Sequence, residues 1–317
     1  MVQDHRGQEA TAPSHIPARG WFDISNRLWR AIGEDRIFLV AGGATFYLLL
    51  ALFPALTAFV SAYGFFADPA AATGHVDALG SLVPSDVLGV VSERLESLVT
   101  QDQSALGLGM ILGILIALWS ANNGIKALFE GLNIAYRERE TRSFVRLNLI
   151  AMCFTLGAMV AASLLIAAIG IVPVVLAVLH LGSWSELLLS SLRWPVLLVL
   201  IGAGITLIYR YGPSREPAKW RWLTWGSAGA TVVWVMASAA FSFYLERFAD
   251  YEATYGSLGA IIGFLMWTWI SVIILLLGAE FNAEMELQTS VDSTTGPSRP
   301  MGSRGAVVAD TPTPPRN

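Results

Sequence analysis

LGAIIGFLMWTWISVIILLLGA, residues 258–279, runs for 22 positions without a charged side chain. As a helix rising about 1.5 Å per residue, it reaches about 33 Å, enough to cross a hydrocarbon core about 30 Å thick. Every backbone amide in lipid needs an internal partner, so such a run must be helical. The short alternating runs of a β-barrel are absent from the chain. Working outward, five more apolar blocks appear, at about 37–66 (with Pro54 inside), 104–119, 147–179 (with Pro173 as a kink or stop), 187–209 and 223–245. The second block is apolar to Trp119 and continues as a helix toward Tyr136. The chain therefore reads as all-α, a polytopic membrane protein with six transmembrane helices. Composition agrees: 54% of its 317 residues are hydrophobic and 14% charged, where soluble domains carry about 25% charge.

Basic residues set the orientation, because cytoplasmic loops keep Lys and Arg. The second loop holds Lys126, Arg137, Arg139, Arg142 and Arg146, and the fourth holds Arg210, Arg215, Lys219 and Arg221. The amino-terminal flank adds Arg27, Arg30 and Arg36. Of 20 Lys and Arg, only Arg94, Arg193 and Arg247 fall in the opposite loops. Six spans with that alternation put both termini of a multi-pass membrane protein in the cytoplasm. Trp21, Trp29, Trp119, Trp184, Trp194, Trp220, Trp222 and Trp225 lie near the span ends, where indole rings prefer the interface. Trp234, Trp267 and Trp269 lie deeper and are expected to pack between helices.

The organisation is a disordered amino-terminal tail over 1–20, a membrane domain over 21–286 and a disordered cytoplasmic tail over 287–317. The last is rich in Ser, Thr, Pro and Gly. With no apolar h-region, 1–20 does not read as a cleaved signal peptide. Trp21, Ile24, Leu28, Trp29 and Ile32 recur at helical spacing and predict a helix on the inner surface, with Arg27 and Arg30 near phosphates. The external segment 67–103 is acidic, and Pro84 and Ser85 open an amphipathic helix in it. That helix reads as a lid over an outward cavity, or as an interfacial helix resting on the bundle. Cys153, the lone cysteine, excludes an intrachain disulfide and reads as a small buried hydrophobe.

Small residues mark the expected helix contacts: Gly109 with Gly113, Gly259 with Gly263, and Gly42, Gly43 and Ala44 together. Polar groups at depth are costly and mark candidate pathways. Thr45 and Tyr47 precede Pro54, whose ring frees a carbonyl one turn earlier. Asn122, Asn123, Lys126, Glu130 and Asn133 follow the second apolar run, and Lys126 and Glu130 share a helix face and can pair. Glu280 and Glu284 share a face at the inner boundary, within reach of Lys126 or a fourth-loop arginine, and Asn282 lies between them. Tyr255 stands in a polar-aromatic cluster at the outer end of the last span.

Enzyme signals are poor. His5, His15, His75 and His180 form no metal-ligand spacing, and the chain has no nucleophile elbow, P-loop or dinucleotide fingerprint. No cofactor is implied, and without a dense basic face neither is nucleic acid.

Three stretches resemble the YihY/BrkB family of bacterial inner-membrane proteins. They are Phe46 to Pro54 (FYLLLALFP); Leu118-Trp119-Ser120 with Gly131 to Tyr136 (GLNIAY) and the basic run to Arg146; and Tyr255 to Ala260 (YGSLGA) with Trp267 and Leu277 to Ala283 (LGAEFNA). Tyr209-Arg210-Tyr211-Gly212-Pro213 is similar to the family's short inner loop. The chain departs from the pattern at Ala51, where the family has Ser, and at Trp225-Gly226-Ser227, where Pro-Gly-Ala is usual. The resemblance covers about 21–286. It implies an envelope protein linked by name to virulence and serum resistance, and a family once labelled ribonuclease BN.

The expectation is a transporter or flippase-like protein for lipids or other envelope amphiphiles. Thr45, Tyr47, Asn123, Lys126, Asn133, Tyr255, Glu280 and Asn282 are its candidate pathway or gating residues. A non-transporting scaffold for envelope assembly is the alternative, and a membrane-bound hydrolase or ribonuclease comes third. The expected partners are membrane lipids, with envelope-assembly proteins or a second copy of the chain.

Overall fold

A computed structural model describes residues 6–66, 103–166, 183–247 and 258–311. After a single 3-10 turn (Pro13–His15), the elements are α1 (Ala18–Glu34), α2 (Ile37–Phe66), α3 (Gln103–Ala135), α4 (Phe144–Ile166), α5 (Ser183–Tyr211), α6 (Trp220–Arg247), α7 (Leu258–Leu287) and the short α8 (Val307–Asp310). Helices α2 to α7 are each long and apolar enough to cross a membrane. Among the described residues no strand forms; one antiparallel bridge pairs Ala218 with Thr294. The acidic external segment, the cluster holding Tyr255 and the stretch around Pro173 lie outside the described residues.

Helix α2 lies along α3, and α7 packs on α6, α2 and α3. Helix α5 packs on α6 and α4 on α3, while α4 and α5 touch only slightly. These neighbours form a bundle in the order α2, α3, α4, α5, α6, α7, with α7 closing back on α2. Among the described residues, its weakest side is the seam between α4 and α5.

Among the residues whose burial is described, the buried positions concentrate toward one end of the bundle. Ile37, Ala41, Ala44 and Thr45 open α2, and Leu128, Phe129 and Leu132 close α3; all are buried. Ala151 and Thr155 lie early in α4, Trp222 to Thr231 early in α6, and Leu276 to Leu287 late in α7. These positions share the end at which α1 and the second and fourth loops gather. Beyond Thr231, α6 has no fully buried residue; Trp234, Ala237, Ser238, Phe241 and Leu245 are half-buried on one stripe, which packs on a single neighbour.

Helices α6 and α7 approach closely at Gly226 and Gly278. A methyl group on Gly278 would lie 2.8 Å from Ala230 Cβ and 3.1 Å from the Gly226 carbonyl, so the two backbones nearly touch there. Further along, Trp234 Nε1 donates to Ser271 Oγ at 2.9 Å and Trp267 Nε1 to Ser238 Oγ at 3.2 Å. The two indoles meet edge to face at 5.8 Å. Thus Trp234 and Trp267 pack between helices as expected, and Trp269 donates to the Phe38 carbonyl.

Several expectations need correction. Gly42 and Gly43 face open space, so that trio is not the packing point; only Ala44 is buried. Gly113 and Gly259 are buried, Gly109 is half-buried, and Gly263 meets Leu245 at ordinary contact distance. Cys153 is exposed on α4 rather than buried. Trp222 is buried at the base of the bundle instead of standing at an interface. Arg27 turns inward to Glu284 rather than out to phosphates, leaving Phe22, Trp29 and Arg30 on the outer face of α1.

The two tails are folded over most of their length. The amino-terminal segment lies on the carboxyl-terminal one: Ser290 N donates to the Gln8 carbonyl, Gln288 Nε2 to the Arg6 carbonyl and Thr289 Oγ1 to the Ala10 carbonyl. The carboxyl-terminal segment then runs beside the fourth loop, with Lys219 N bonded to Ser293 O, Thr295 N to Pro217 O and Glu216 N to Gly305 O. Composition argues disorder when apolar area is too small to offset ordering entropy. Here hydrogen bonds supply the order. Asp292 accepts from Thr294 N, Thr294 Oγ1 and Arg299 N, and Arg304 donates to the carbonyls of Ser290, Arg299 and Ala309.

Candidate functional site

The end of α7 carries Glu280, Asn282, Glu284 and Glu286, all buried. Three buried carboxylates in one helical stretch require compensation, because an unpaired buried charge is costly. Glu284 receives it from both directions: Arg27 of α1 donates to its carboxylate and, at 3.0 Å, to its backbone carbonyl, while Arg137 donates at 3.1 Å. Arg27 also reaches Gln288 Oε1 at 2.8 Å. Glu286 takes a two-pronged contact from Arg215, at 3.2 and 2.8 Å, and a 2.6 Å bond from Ser293 Oγ. The Arg215 guanidinium also lies 5.0 Å from the centre of the Tyr136 ring. Burial disfavours the charge on Arg215, but Glu286 outweighs it and raises its pKa.

Helix α3 ends so as to aim Arg137 at this carboxylate. Glu138 N donates to Asn133 O and Arg137 N to Ile134 O, the paired bonds of a Schellman cap. The left-handed position of that cap usually holds Gly; here Arg137 occupies it at φ 58. An L-residue there is strained by about 1–2 kcal/mol. Glu138 then caps α8 by accepting from Val307 N at 2.7 Å, and burial raises its pKa against that bond.

Asn133 is a linker. Its Oδ1 accepts from Ser214 N at 2.7 Å, and its Nδ2 donates to Glu140 at 3.1 Å, so it ties the second loop to the fourth. Arg142 grips Glu140 at 2.8 and 2.6 Å and also donates to the carbonyls of Tyr211 and Gly212. Partial burial would raise the Glu140 pKa, but the bonds from Arg142 and Asn133 override it and lower it to about 2. Asp292 behaves alike: its bonds from Thr294 and Arg299, with Arg304 nearby, overcome burial and lower its pKa.

Asn282 is fully buried and clamps α6. Its Oδ1 accepts from Gly226 N at 3.0 Å and its Nδ2 points to Leu223 O at 3.4 Å. Gly226 is required where this side chain arrives, since a methyl there would overlap the Asn282 amide and lie 2.5 Å from the Gly278 carbonyl. Glu280 faces Asp35 at the junction of α1 and α2, and its Oε1 is buried without a hydrogen bond.

The sequence-derived candidates therefore divide. Asn133, Glu280 and Asn282 belong to this polar hub, though each has different partners. Lys126 is apart: its Nζ donates to Asn148 of α4 at 3.0 Å and forms no ion pair with Glu130. Asn123 is half-buried next to it. Thr45 bonds the carbonyl of Ala41 in its own helix, and Tyr47 is partly exposed beside Phe46. Sequence reasoning missed Arg27, Arg137, Arg215 and Glu286 as paired residues. An arginine two or more elements away from a carboxylate carries no local signal of its partner. Glu284 was expected to meet Lys126 or a fourth-loop arginine; the fourth-loop arginine takes Glu286 instead.

Six apolar helices pinned at one end by buried ion pairs and by both folded tails define a polytopic α-helical membrane protein. The chain belongs to the family described as virulence factor BrkB, whose pattern it matches over residues 28–302. It is 36% identical over 220 residues to the Bacillus subtilis protein named "Putative ribonuclease-like protein YfkH", covering 64% of this chain and 78% of that one. It is 24% identical over 267 residues to a UPF0761 membrane protein of Tolumonas auensis, covering 81% and 83% of the two chains. To a UPF0761 membrane protein of Haemophilus influenzae it is 23% identical over 261 residues, covering 81% and 93%. No solved structure matches the chain.

Proposed function

We propose that this protein is a transporter or flippase-like protein for lipids or related envelope amphiphiles in the bacterial inner membrane. The observation that carries the reading is the lopsided closure. Among the described residues, the polar hub seals the bundle at one end, and α4 and α5 touch least of any neighbouring pair. A structure closed on one side and separable on the other is what an amphiphile needs to enter sideways from the bilayer. The hub carries Arg27, Arg137, Arg142, Arg215, Lys219 and Arg304 beside both folded tails. That concentration of positive charge supports a cytoplasmic hub and cytoplasmic termini.

Thr45, Tyr47, Asn123, Lys126, Asn133, Tyr255, Glu280 and Asn282 remain the proposed pathway and gating residues, with two kinds of role. Asn133 and Asn282 hold the hub rigid, and Lys126 and Glu280 keep the polar capacity to meet a moving group. A ribonuclease reading gains nothing here, since no three His, Cys, Asp or Glu among the described residues stand close enough to hold a metal ion. One observation favours a scaffold instead: Lys126, Asn133 and Glu280 each turn to separate partners.

Reconstitution of the purified chain into liposomes with labelled lipids decides between the two. Lipid movement well above protein-free vesicles, reduced by Glu280→Gln, is the expected result. Movement no faster than in empty vesicles overturns the transport reading and leaves the scaffold.

A further inference from the structure

Lys126 is a cation within a membrane-crossing helix that has no carboxylate within ion-pair distance among the described residues. Its ammonium has three donors, and the structure engages one, with Asn148 Oδ1 at 3.0 Å. Asn122 Nδ2 donates to the same oxygen at 3.1 Å. The other end of the Asn122 amide, Oδ1, is buried with no hydrogen bond, and the residue is 5% exposed. Turning the amide over gives no relief. It would set oxygen against Asn148 Oδ1, while Asn148 Nδ2 is already committed to the Phe144 carbonyl at 2.8 Å. Thus one small cluster offers free ammonium donors beside an acceptor in want of a donor. A buried polar group of that kind calls for a partner.

The depth of the cluster identifies the ligand. Asn148 lies four residues into α4, which starts at Phe144, so it is about 6 Å along the helix from the hub end. With the span taken to begin at Phe144, that depth corresponds to lipid headgroups and glycerol on the hub side of a bilayer. Trp119, Val145 and Leu149 flank the cluster and are mostly exposed, as side chains along acyl chains would be. Arg146, also exposed, lies two residues before Asn148 and on another face of α4, so it is not part of the cluster, and Glu130 is exposed one turn from Lys126 on the hub side.

We propose that Lys126, Asn122 and Asn148 form a headgroup site for an anionic phosphodiester lipid whose headgroup carries a free hydroxyl, such as phosphatidylglycerol. Lys126 takes the phosphate, and the headgroup hydroxyl donates to Asn122 Oδ1 once the lipid parts Asn122 from Asn148. The inference rests on the amphiphile reading above and adds the lipid class.

Native mass spectrometry of the full chain, with phosphatidylglycerol, phosphatidic acid and phosphatidylcholine in competition, tests it. The wild type should retain phosphatidylglycerol at least tenfold over phosphatidylcholine. Lys126→Gln should bring that ratio to about one, and Lys126→Arg should restore most of it. Asn122→Leu should keep the preference for anionic lipid but lose the preference for phosphatidylglycerol over phosphatidic acid. Phosphatidylglycerol should also protect Lys126 of the wild type from an amine-reactive reagent, a readout that needs no variant to fold. Equal retention of the three lipids, or unprotected Lys126, overturns the site. Displacement of the lipid by millimolar glycerol phosphate also overturns it, assigning the cluster to a free phosphate ester. Selective binding without lipid movement sinks the transport reading and keeps the site, whereas lipid movement without Lys126 protection does the reverse.

Discussion

Replacing Arg215 with Ala removes the cation from a pair that is almost wholly buried, with side-chain exposures of 2% for Arg215 and 0% for Glu286. Ser293 Oγ still donates to Glu286, but one neutral bond does not compensate a buried carboxylate. Breaking such a pair from one side costs about 3–5 kcal/mol, and at about 1.4 kcal/mol per tenfold this shifts the folding equilibrium at least a hundredfold. Lost packing on the Tyr136 ring adds to it. The double variant Arg215→Met with Glu286→Leu removes both charges and keeps volume, so it should lose far less than Arg215→Ala alone. Denaturant titration in micelles, followed by tryptophan fluorescence, compares wild type, Arg215→Ala, Arg215→Met, Glu286→Leu and the double variant, the last three with wild type forming the four corners of a cycle. Because the carboxyl-terminal segment hangs on Ser293 and the fourth loop, limited proteolysis should cut Arg215→Ala within 288–311 much faster than wild type. A loss below about 1 kcal/mol, the level of an exposed pair, with the tail still protected, would refute the claim that this ion pair holds the hub.

Gly278→Leu places a side chain where a single methyl already lies 2.8 Å from Ala230, so α6 and α7 must separate; the cost is at least the about 1–3 kcal/mol of an overpacked core, seen as a lower unfolding midpoint and polydisperse chromatography. Gly43→Leu, facing open space, should change neither and serves as the control. Glu140 yields a pH signature. Its folded-state pKa, about 2, is below the ordinary 4.5, so its stabilisation is complete above about pH 5 and fades as pH falls toward 2. The stability gap between wild type and Glu140→Gln should therefore be constant from pH 8 to 5 and shrink below 4.5; a gap that widens on acidification contradicts the assignment.

The spans were legible because lipid imposes a one-dimensional rule: about 20 apolar residues in a row need no knowledge of any other segment. All six helices found in the structure overlap the blocks read from the chain, and the basic loops do collect at one end. The hub was only half legible. Glu280 and Glu284 were visible as costly groups, yet the partners of Glu284 are 257 and 147 positions away, and spacing carries no information over that range. The tails misled for a different reason. Ser, Thr, Asp and Arg in 288–311 look solvated when tallied by hydrophobicity, but the same groups saturate one another and the loop backbones once a helix bundle presents those backbones. Asn282 was visible as a polar group at depth, but its binding of the Gly226 amide depended on a helix crossing that no sequence pattern announces.

The energetics of the hub restrict how such a bundle can move. The pairs of Arg27 with Glu284 and Arg215 with Glu286 join α1, the fourth loop and α7, and each costs about 3–5 kcal/mol to break. Opening both in one excursion would cost about 6–10 kcal/mol, leaving fewer than about one molecule in ten thousand open at equilibrium. A cycle that had to part the hub each time would need a ligand to supply that difference. Separation at the α4–α5 seam, where few side chains interlock, requires no such compensation. Under the transport reading, movement is therefore expected at that seam, with the hub as a base that stays closed. Lys126 and Asn148, on α3 and α4, stand between that fixed base and the region able to move. A lipid headgroup bound there sits where a small rotation of α4 changes its contacts without disturbing any buried ion pair.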